Sequence, residues 1–331
     1  MTLTVPVLAV RARTLIAALL LAVVAAALPT AVAQGAFSRM IVQAEPGHVH
    51  EATEAVEQLS GSVGTPLPLV DGFVAEVPAE AVPALRAEPS VRALSTDDPV
   101  QFENLSYDDA STAANFARTS GASAGWAQGQ LGQGVGVAVI DTGISQMPDF
   151  AGRLVHGPDL SGEGQIVDTY GHGTVMAGII GGSGADSATN PAGRYTGVAP
   201  KSTLVAVKAA GRNGAADVST MLQAMHWVAS YKDQFNIRVL NLSWGTSSKQ
   251  DPSVDPLNYA VQRLWSLGIV VVTAAGNSGP QAGTITKPGD DPVALTVGAF
   301  DDKQNVDPAD DSIPAWSSRG PTAQGLTKPD V

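Results

Sequence analysis

Cysteine is absent from the 331-residue chain, which excludes disulfides, thiolate-held zinc, iron–sulfur clusters and thiol nucleophiles together. Basic residues are scarce, 19 Lys and Arg against 31 Asp and Glu. A chain of net charge −12 is poorly suited to neutralising phosphate backbones, so no nucleic-acid partner is expected. Charged residues make up 15% and hydrophobic ones 44%. That is too little charge for a disordered chain and enough apolar material for a sizeable core. Gly and Pro are frequent but follow no Gly-X-Y period, and no heptads are sustained, which removes collagen-like and coiled-coil architectures.

Long hydrophobic runs are also missing, with one exception near the N-terminus. Leu15 to Leu28 is a stretch of 14 apolar or small residues, short of the ~20 that span a bilayer. Arg11 and Arg13 precede it, and Pro29 and Ala31-Val32-Ala33 follow. This is the order of charged, apolar and cleavage regions in a signal peptide. Residues 1–33 are therefore expected to direct export and to be removed. The mature protein is expected to be extracellular, with no membrane association thereafter.

Residues 34–106 form a first module in this reading. From Phe37 to Ser106 it holds eleven acidic and three basic residues, and its apolar pattern runs strand, helix, strand, strand, helix, strand. Expected strands are Arg39–Gln43, Ser62–Val70, Gly72–Val77 and Val91–Leu94, with helices over Val49–Leu59 and Ala79–Ala87. Residues 107–134 are rich in Ser, Ala and Gly and read as a linker and the start of the mature region. From 135 to 331 the pattern alternates strand and helix, with continuously apolar strands such as Val137-Ala138-Val139-Ile140. A parallel sheet covered on both faces is expected.

Ligands of an open parallel sheet bind beyond the carboxyl ends of its strands. Three polar residues interrupt the apolar pattern there: Asp141 after Val-Ala-Val-Ile, His172 in Gly-His-Gly-Thr, and Asn277 after Thr-Ala-Ala-Gly. A carboxylate, an imidazole and an amide suit acyl transfer, where one orients the base, one moves the proton and one donates to the oxyanion. Taken singly, each also fits an ordinary cap or turn.

The motifs that hold them, Val-Ile-Asp-Thr-Gly-Ile, Tyr-Gly-His-Gly-Thr-Val-Met-Ala-Gly, Asn-Leu-Ser-Trp-Gly and Ala-Ala-Gly-Asn-Ser-Gly, resemble in this order those of the subtilisin-like serine proteases. The resemblance runs from about Gly134 to Val331. It implies a three-layer parallel α/β domain, incomplete at its C-terminus, preceded by a small α+β ferredoxin-like pro-domain. That pro-domain would serve as folding assistant and intramolecular inhibitor of an enzyme acting on polypeptides. It also implies roles: Asp141 orients the imidazole, His172 is the general base, and Asn277 donates to the oxyanion. Ser243, Trp244 and Gly245 would flank an extended substrate, with Ala274, Ala275 and Gly276 bordering the pocket before the scissile bond.

Two departures stand out. Val175 occupies a position where the family often has a second histidine. More important, the family's nucleophile lies in a Gly-Thr-Ser motif downstream of the oxyanion Asn, and none follows Asn277. Gly245-Thr246-Ser247 imitates it but comes too early and runs into Ser-Lys-Gln-Asp-Pro. The expected nucleophile therefore lies beyond residue 331, and the chain as it stands should not cut peptides. The alternative is a serine-less member that acts by binding or inhibition.

Other patterns are weaker. Gly121-Ala122-Ser123-Ala124-Gly125 matches a nucleophile elbow but lacks the strand such an elbow needs. Asp141-Thr142-Gly143 occurs once, whereas aspartic proteases need two carboxylates. Glycines 132, 134 and 136 precede their strand rather than follow it, against a dinucleotide loop. His48 and His50 beside Glu51 and Glu54 read as a solvated helix start. No cofactor is required for the chemistry. Family members often carry structural calcium, and Asp149 or the group Asp301, Asp302, Asp307, Asp310 and Asp311 could supply oxygens, but neither completes a recognisable loop.

Overall fold

The computed structural model describes residues 36–102, 115–190 and 193–331; the expected signal peptide and residues 107–114 of the expected linker lie outside them. Phe37–Val331 forms one compact unit. Among the described residues, no helix is long and apolar enough to cross a membrane.

The N-terminal module follows the expected alternation. Strand β1 (Phe37–Ala44), helix α1 (Val49–Gln58), strands β2 (Ser62–Leu67) and β3 (Gly72–Pro78), helix α2 (Val82–Arg86) and strand β4 (Val91–Thr96) build a four-stranded sheet in the order β2-β3-β1-β4. All its pairings are antiparallel. Alternation sends Met40 and Val42 into the module's own core with Ala52, Val56, Phe73 and Leu85. Ile41 and Val74 point the other way, as the two-residue period of a strand requires. The second expected helix is shortened because Pro83 confines it to the stretch after a 3₁₀ turn at Ala79–Ala81.

The strand that follows the module, β5 (Pro99–Phe102), was not expected. Beyond it, residues read as linker contain two short helices, α3 (Phe116–Thr119) and α4 (Ala122–Ala127). Alanine has the highest helix propensity, and Ser/Ala/Gly-rich sequence is not structureless when a partner fixes it. Here Trp126 Nε1 donates to the Val198 carbonyl at 2.9 Å. Ser123 therefore sits within a helix, not on a strand-to-helix elbow.

The large sheet holds β6 (Gly136–Asp141), β7 (Leu154–Asp159), β8 (Thr203–Lys208), β10 (Ile237–Leu242), β12 (Val270–Ala274) and β13 (Leu295–Val297), in the order β13-β12-β10-β6-β8-β7. Every adjacent pair is parallel. Edge strand β7 escaped the sequence reading because its Gly157-Pro158 pair breaks any apolar run and it is only half-buried. Helix α5 (His172–Gly181) covers one face with Val139, Leu204 and Ala206. Helices α6 (Val218–Tyr231) and α7 (Pro256–Ser266) cover the other with Ala138, Ile140, Val205, Val207 and Leu240. Gly268, at φ +82°, ends the turn after α7 where a side chain would be strained.

The module and the large sheet share this second core. Ile41, Leu67, Leu69, Val70, Val74 and Val100 pack in the same cluster as Met221, Leu222, Leu257 and Val261. Asp97 caps α6: its carboxylate accepts Ser219 N at 2.8 Å and Ser219 Oγ at 2.7 Å, while Arg39 Nε donates to it at 2.7 Å. Arg92 stacks 4.0 Å over the Tyr259 ring. Finally, β5 inserts antiparallel between β9 (Ala215–Asp217) and β11 (Trp244–Gly245), giving a three-stranded sheet in the order β11-β5-β9.

Candidate active site

Asp141 ends β6, where a continuously apolar strand, buried on both faces, delivers a carboxylate to the sheet's rim, fully buried. His172 opens α5 and is also buried. Its Nδ1 lies 2.7 Å from one Asp141 oxygen and 2.9 Å from the other. Thr142 N donates to the first oxygen at 2.8 Å. Burial pushes the Asp141 carboxyl up and the imidazole pulls it back, leaving it above the ordinary aspartate value. A carboxylate on Nδ1 selects the Nδ1–H tautomer of the neutral ring, so the basic lone pair is on Nε2.

The close approach depends on a glycine. A Cβ at Gly173 would lie 2.1 Å from the Gly143 carbonyl oxygen and 3.0 Å from Asp141 Oδ1. Any side chain there would force the imidazole's helix away from the strand that carries its partner.

His172 faces a cleft of about 280 Å³ whose walls include Asn241, Ser243, Ala274, Ala275, Gly276 and Asn277. Asn277, just past β12, is exposed at the rim. The fold thus brings Asp141, His172 and Asn277 to the carboxyl ends of β6, α5's start and β12, as the rule for parallel sheets demands. Trp244 and Gly245 are not part of that wall. The Trp244 side chain is fully buried in the large core, while its backbone and that of Gly245 pair with Phe102 and Gln101. A larger depression of about 630 Å³ lies on the N-terminal module, walled by Glu45, Glu51, Glu54 and Glu88. It is remote in sequence and element from all three residues, so the chemistry identifies the smaller cleft.

Residues 132–331 match the model of the Subtilase family. The chain belongs to that family. It is 38% identical over 206 residues to "Serine protease AprX" of Bacillus subtilis (strain 168), covering 60% of this chain and 46% of that protein. It is 40% identical over 179 residues to "Subtilisin Savinase" of Lederbergia lenta, 54% of this chain and 60% of that protein. It is 32% identical over 232 residues to "Alkaline elastase YaB" of Bacillus sp. (strain YaB), 70% of this chain and 54% of that one. The chain spans about half the length of the curated relatives it matches.

In this subtilase two of the four serines after Asn277 have other work. Ser317 Oγ accepts Ala299 N at 3.1 Å and Ser318 Oγ accepts Ser278 N at 3.0 Å. Both are buried. Among the described residues no three His, Asp or Glu side chains converge on a metal-sized point. Asp149 accepts Ala185 N at 2.6 Å, and Asp301 is paired with Lys303.

Two features of the site were missed from sequence. One is β5. The other is Asp168, four residues before His172, which accepts hydrogen bonds from Thr142 and from the start of α5. An acid in a Gly- and Ser-rich loop carries no periodic signal; its spacing to the histidine was the only clue.

Proposed function

We propose that this subtilase is a secreted endopeptidase zymogen that hydrolyses peptide bonds through an acyl-enzyme. One observation carries the reading: a buried carboxylate 2.7 Å from an imidazole, on a cleft whose rim bears a side-chain amide. Asp141 fixes the tautomer and offsets the charge of the imidazolium, and His172 Nε2 acts as general base. A serine oxygen attacks the scissile carbonyl carbon as its proton passes to Nε2. The tetrahedral adduct collapses, the amine leaves with that proton, and water hydrolyses the ester by the same route. Asn277 donates to the oxyanion. The serine is assigned beyond Val331, because no later serine stands in a Gly-Thr-Ser context.

The N-terminal module, ferredoxin-like in its order of elements, is proposed as intramolecular inhibitor and folding assistant. Its support is β5, an extended segment lying antiparallel on β11 and β9, as a substrate would by strand addition. Export follows from the expected leader at residues 1–33, and maturation is assigned between Asp97 and Gly121. No cofactor enters the chemistry.

The test is expression of the whole reading frame, with hydrolysis of a peptide amide compared between the unaltered protein and His172→Ala. Turnover should fall by ~10⁴ or more. Equal turnover in the variant, or a stop codon with no downstream Gly-Thr-Ser, overturns the reading.

A further inference from the structure

The geometry points to Asp168 as a positioning residue that locks the helix bearing His172 to the strand bearing Asp141, without touching either side chain. The inference rests on the reading of Asp141 and His172 as a working pair.

Helix α5 begins without a capping side chain of its own, since its N-cap is Gly171 at φ +102°. Its first amide groups would be left without acceptors in a largely buried setting, which is destabilising. Asp168 supplies the remedy from outside the helix. Its Oδ1 accepts Gly171 N at 2.7 Å and Tyr170 N at 3.0 Å. Its Oδ2 accepts Thr174 N at 2.9 Å and Thr174 Oγ1 at 2.6 Å. The remaining contact crosses to the other element: Thr142 Oγ1 donates to Oδ1 at 2.8 Å and accepts Gly173 N at 3.0 Å. Thr142 directly follows Asp141, and Gly173 directly follows His172. One carboxylate and one hydroxyl thus tie together the residues adjoining both members of the pair.

The loop that presents Asp168 is itself anchored on both sides. Lys208, fully buried and opposite Asp141 in the register of β6 and β8, donates to the Val167 carbonyl at 2.6 Å and to Glu163 at 2.8 Å. Glu163 also accepts Thr169 Oγ1 at 2.6 Å. The residues before and after Asp168 are therefore strapped to the strand adjoining the one that ends in Asp141. Burial alone would push the Asp168 carboxyl up; its hydrogen bonds, led by Thr174, outweigh this and hold it below the usual aspartate range. The group is built to stay charged and to accept.

An amide cannot replace it. Both oxygens receive N–H donors, so either orientation of an asparagine sets its NH₂ against a backbone N–H. Asp168→Asn should keep the fold but loosen the link.

The experiment is proton NMR of this chain with ¹⁵N-labelled histidine, reading the far-downfield Nδ1–H resonance of the His172–Asp141 hydrogen bond. That resonance should be lost or broadened by rapid exchange in Asp168→Asn and in Thr142→Val, which is close in shape but lacks the hydroxyl. It should persist in Thr142→Ser, which keeps it. Circular dichroism at the same temperature establishes that each variant is folded. A resonance unchanged in folded Asp168→Asn and Thr142→Val overturns the inference while leaving the pair intact, even if both melt earlier. Absence of the resonance from the unaltered chain overturns the pair itself and the inference with it. Should Asp168→Asn not fold, the contrast between the two Thr142 variants decides.

Discussion

Replacing Asp97 by alanine tests how the N-terminal module is held to the large sheet. The Asp97 side chain is completely shielded and accepts three hydrogen bonds, two from Ser219 and one from Arg39. Loss of a helix cap costs about 1 kcal/mol. Ser219 is itself buried, so its unpaired amide and hydroxyl add about 1–2 kcal/mol more. Arg39 is half exposed, and water replaces most of what its ion pair contributes. The sum is about 2–4 kcal/mol, which for a unit of this size corresponds to a melting temperature lower by roughly 3–7 °C. Calorimetry gives the total, and amide hydrogen exchange locates it: Ser219 N–H should exchange faster at once, with amides further along α6 little changed. Arg39→Ala should reproduce only a small fraction. A loss under 1 °C with Ser219 still protected would refute the capping argument, and an equal loss from Arg39→Ala would show that the ion pair, not the cap, holds the module.

Two further outcomes follow from the sites themselves. In the whole protein, Asn277→Ala should lower turnover by ~10²–10³ with little change in the concentration of peptide needed for half-saturation; a change under threefold would remove Asn277 from the chemistry. Burial raises the Asp255 carboxyl to about 6 against the pull of Lys287, so the folded chain holds that proton more tightly than the unfolded chain, whose value is near 3.8. The associated stability is fully present below pH 3.8 and is lost as pH rises to 6, an effect of about 3 kcal/mol. Asp255→Asn keeps the oxygen that accepts Leu257 N and Asn258 N and should flatten this decline; parallel melting profiles from pH 3 to 8 would contradict it.

The sequence revealed the site more fully than the way the site is filled. Asp141, His172 and Asn277 stood out because each breaks an apolar or glycine-framed pattern at a strand or helix end, but position alone fits an ordinary cap or turn equally well, and their reading as a set came from the resemblance of the motifs that hold them. Helix α6 has a periodic signal of its own: Val218, Met221, Leu222, Met225 and Val228 recur at helical spacing and are all buried. Trp244 shows the limit. Its neighbours Ser243 and Gly245 are half-buried, yet the indole turns fully into the core, and nothing in a two-residue strand states which way a side chain faces. β5 was harder still. Four residues give no usable period, and the partners are more than a hundred positions away, so the pairing is a property of tertiary structure alone. Asp168 escaped because a polar loop residue and a structural hub have the same composition.

The insertion of β5 also separates two quantities that a cleft alone would couple. β9 and β11 are three and two residues long and are joined only through β5, so their main-chain groups are available to whatever extended segment lies between them. A substrate proposed to lie there would share these pairings. The module gains them together with the Asp97 cap, the Arg92–Tyr259 contact and the apolar interface built on Ile41, Leu67, Leu69, Val70 and Val74. Burial of several such side chains contributes about 1.5–3 kcal/mol each, so the interface outside the cleft dominates the module's hold. If the proposed activity cuts the chain between Asp97 and Gly121 and the module is the proposed inhibitor, the severed module is expected to stay in place and to compete with substrate. Activation then depends on disrupting the module's own fold, and substitutions in its interface control the delay between cleavage and activity.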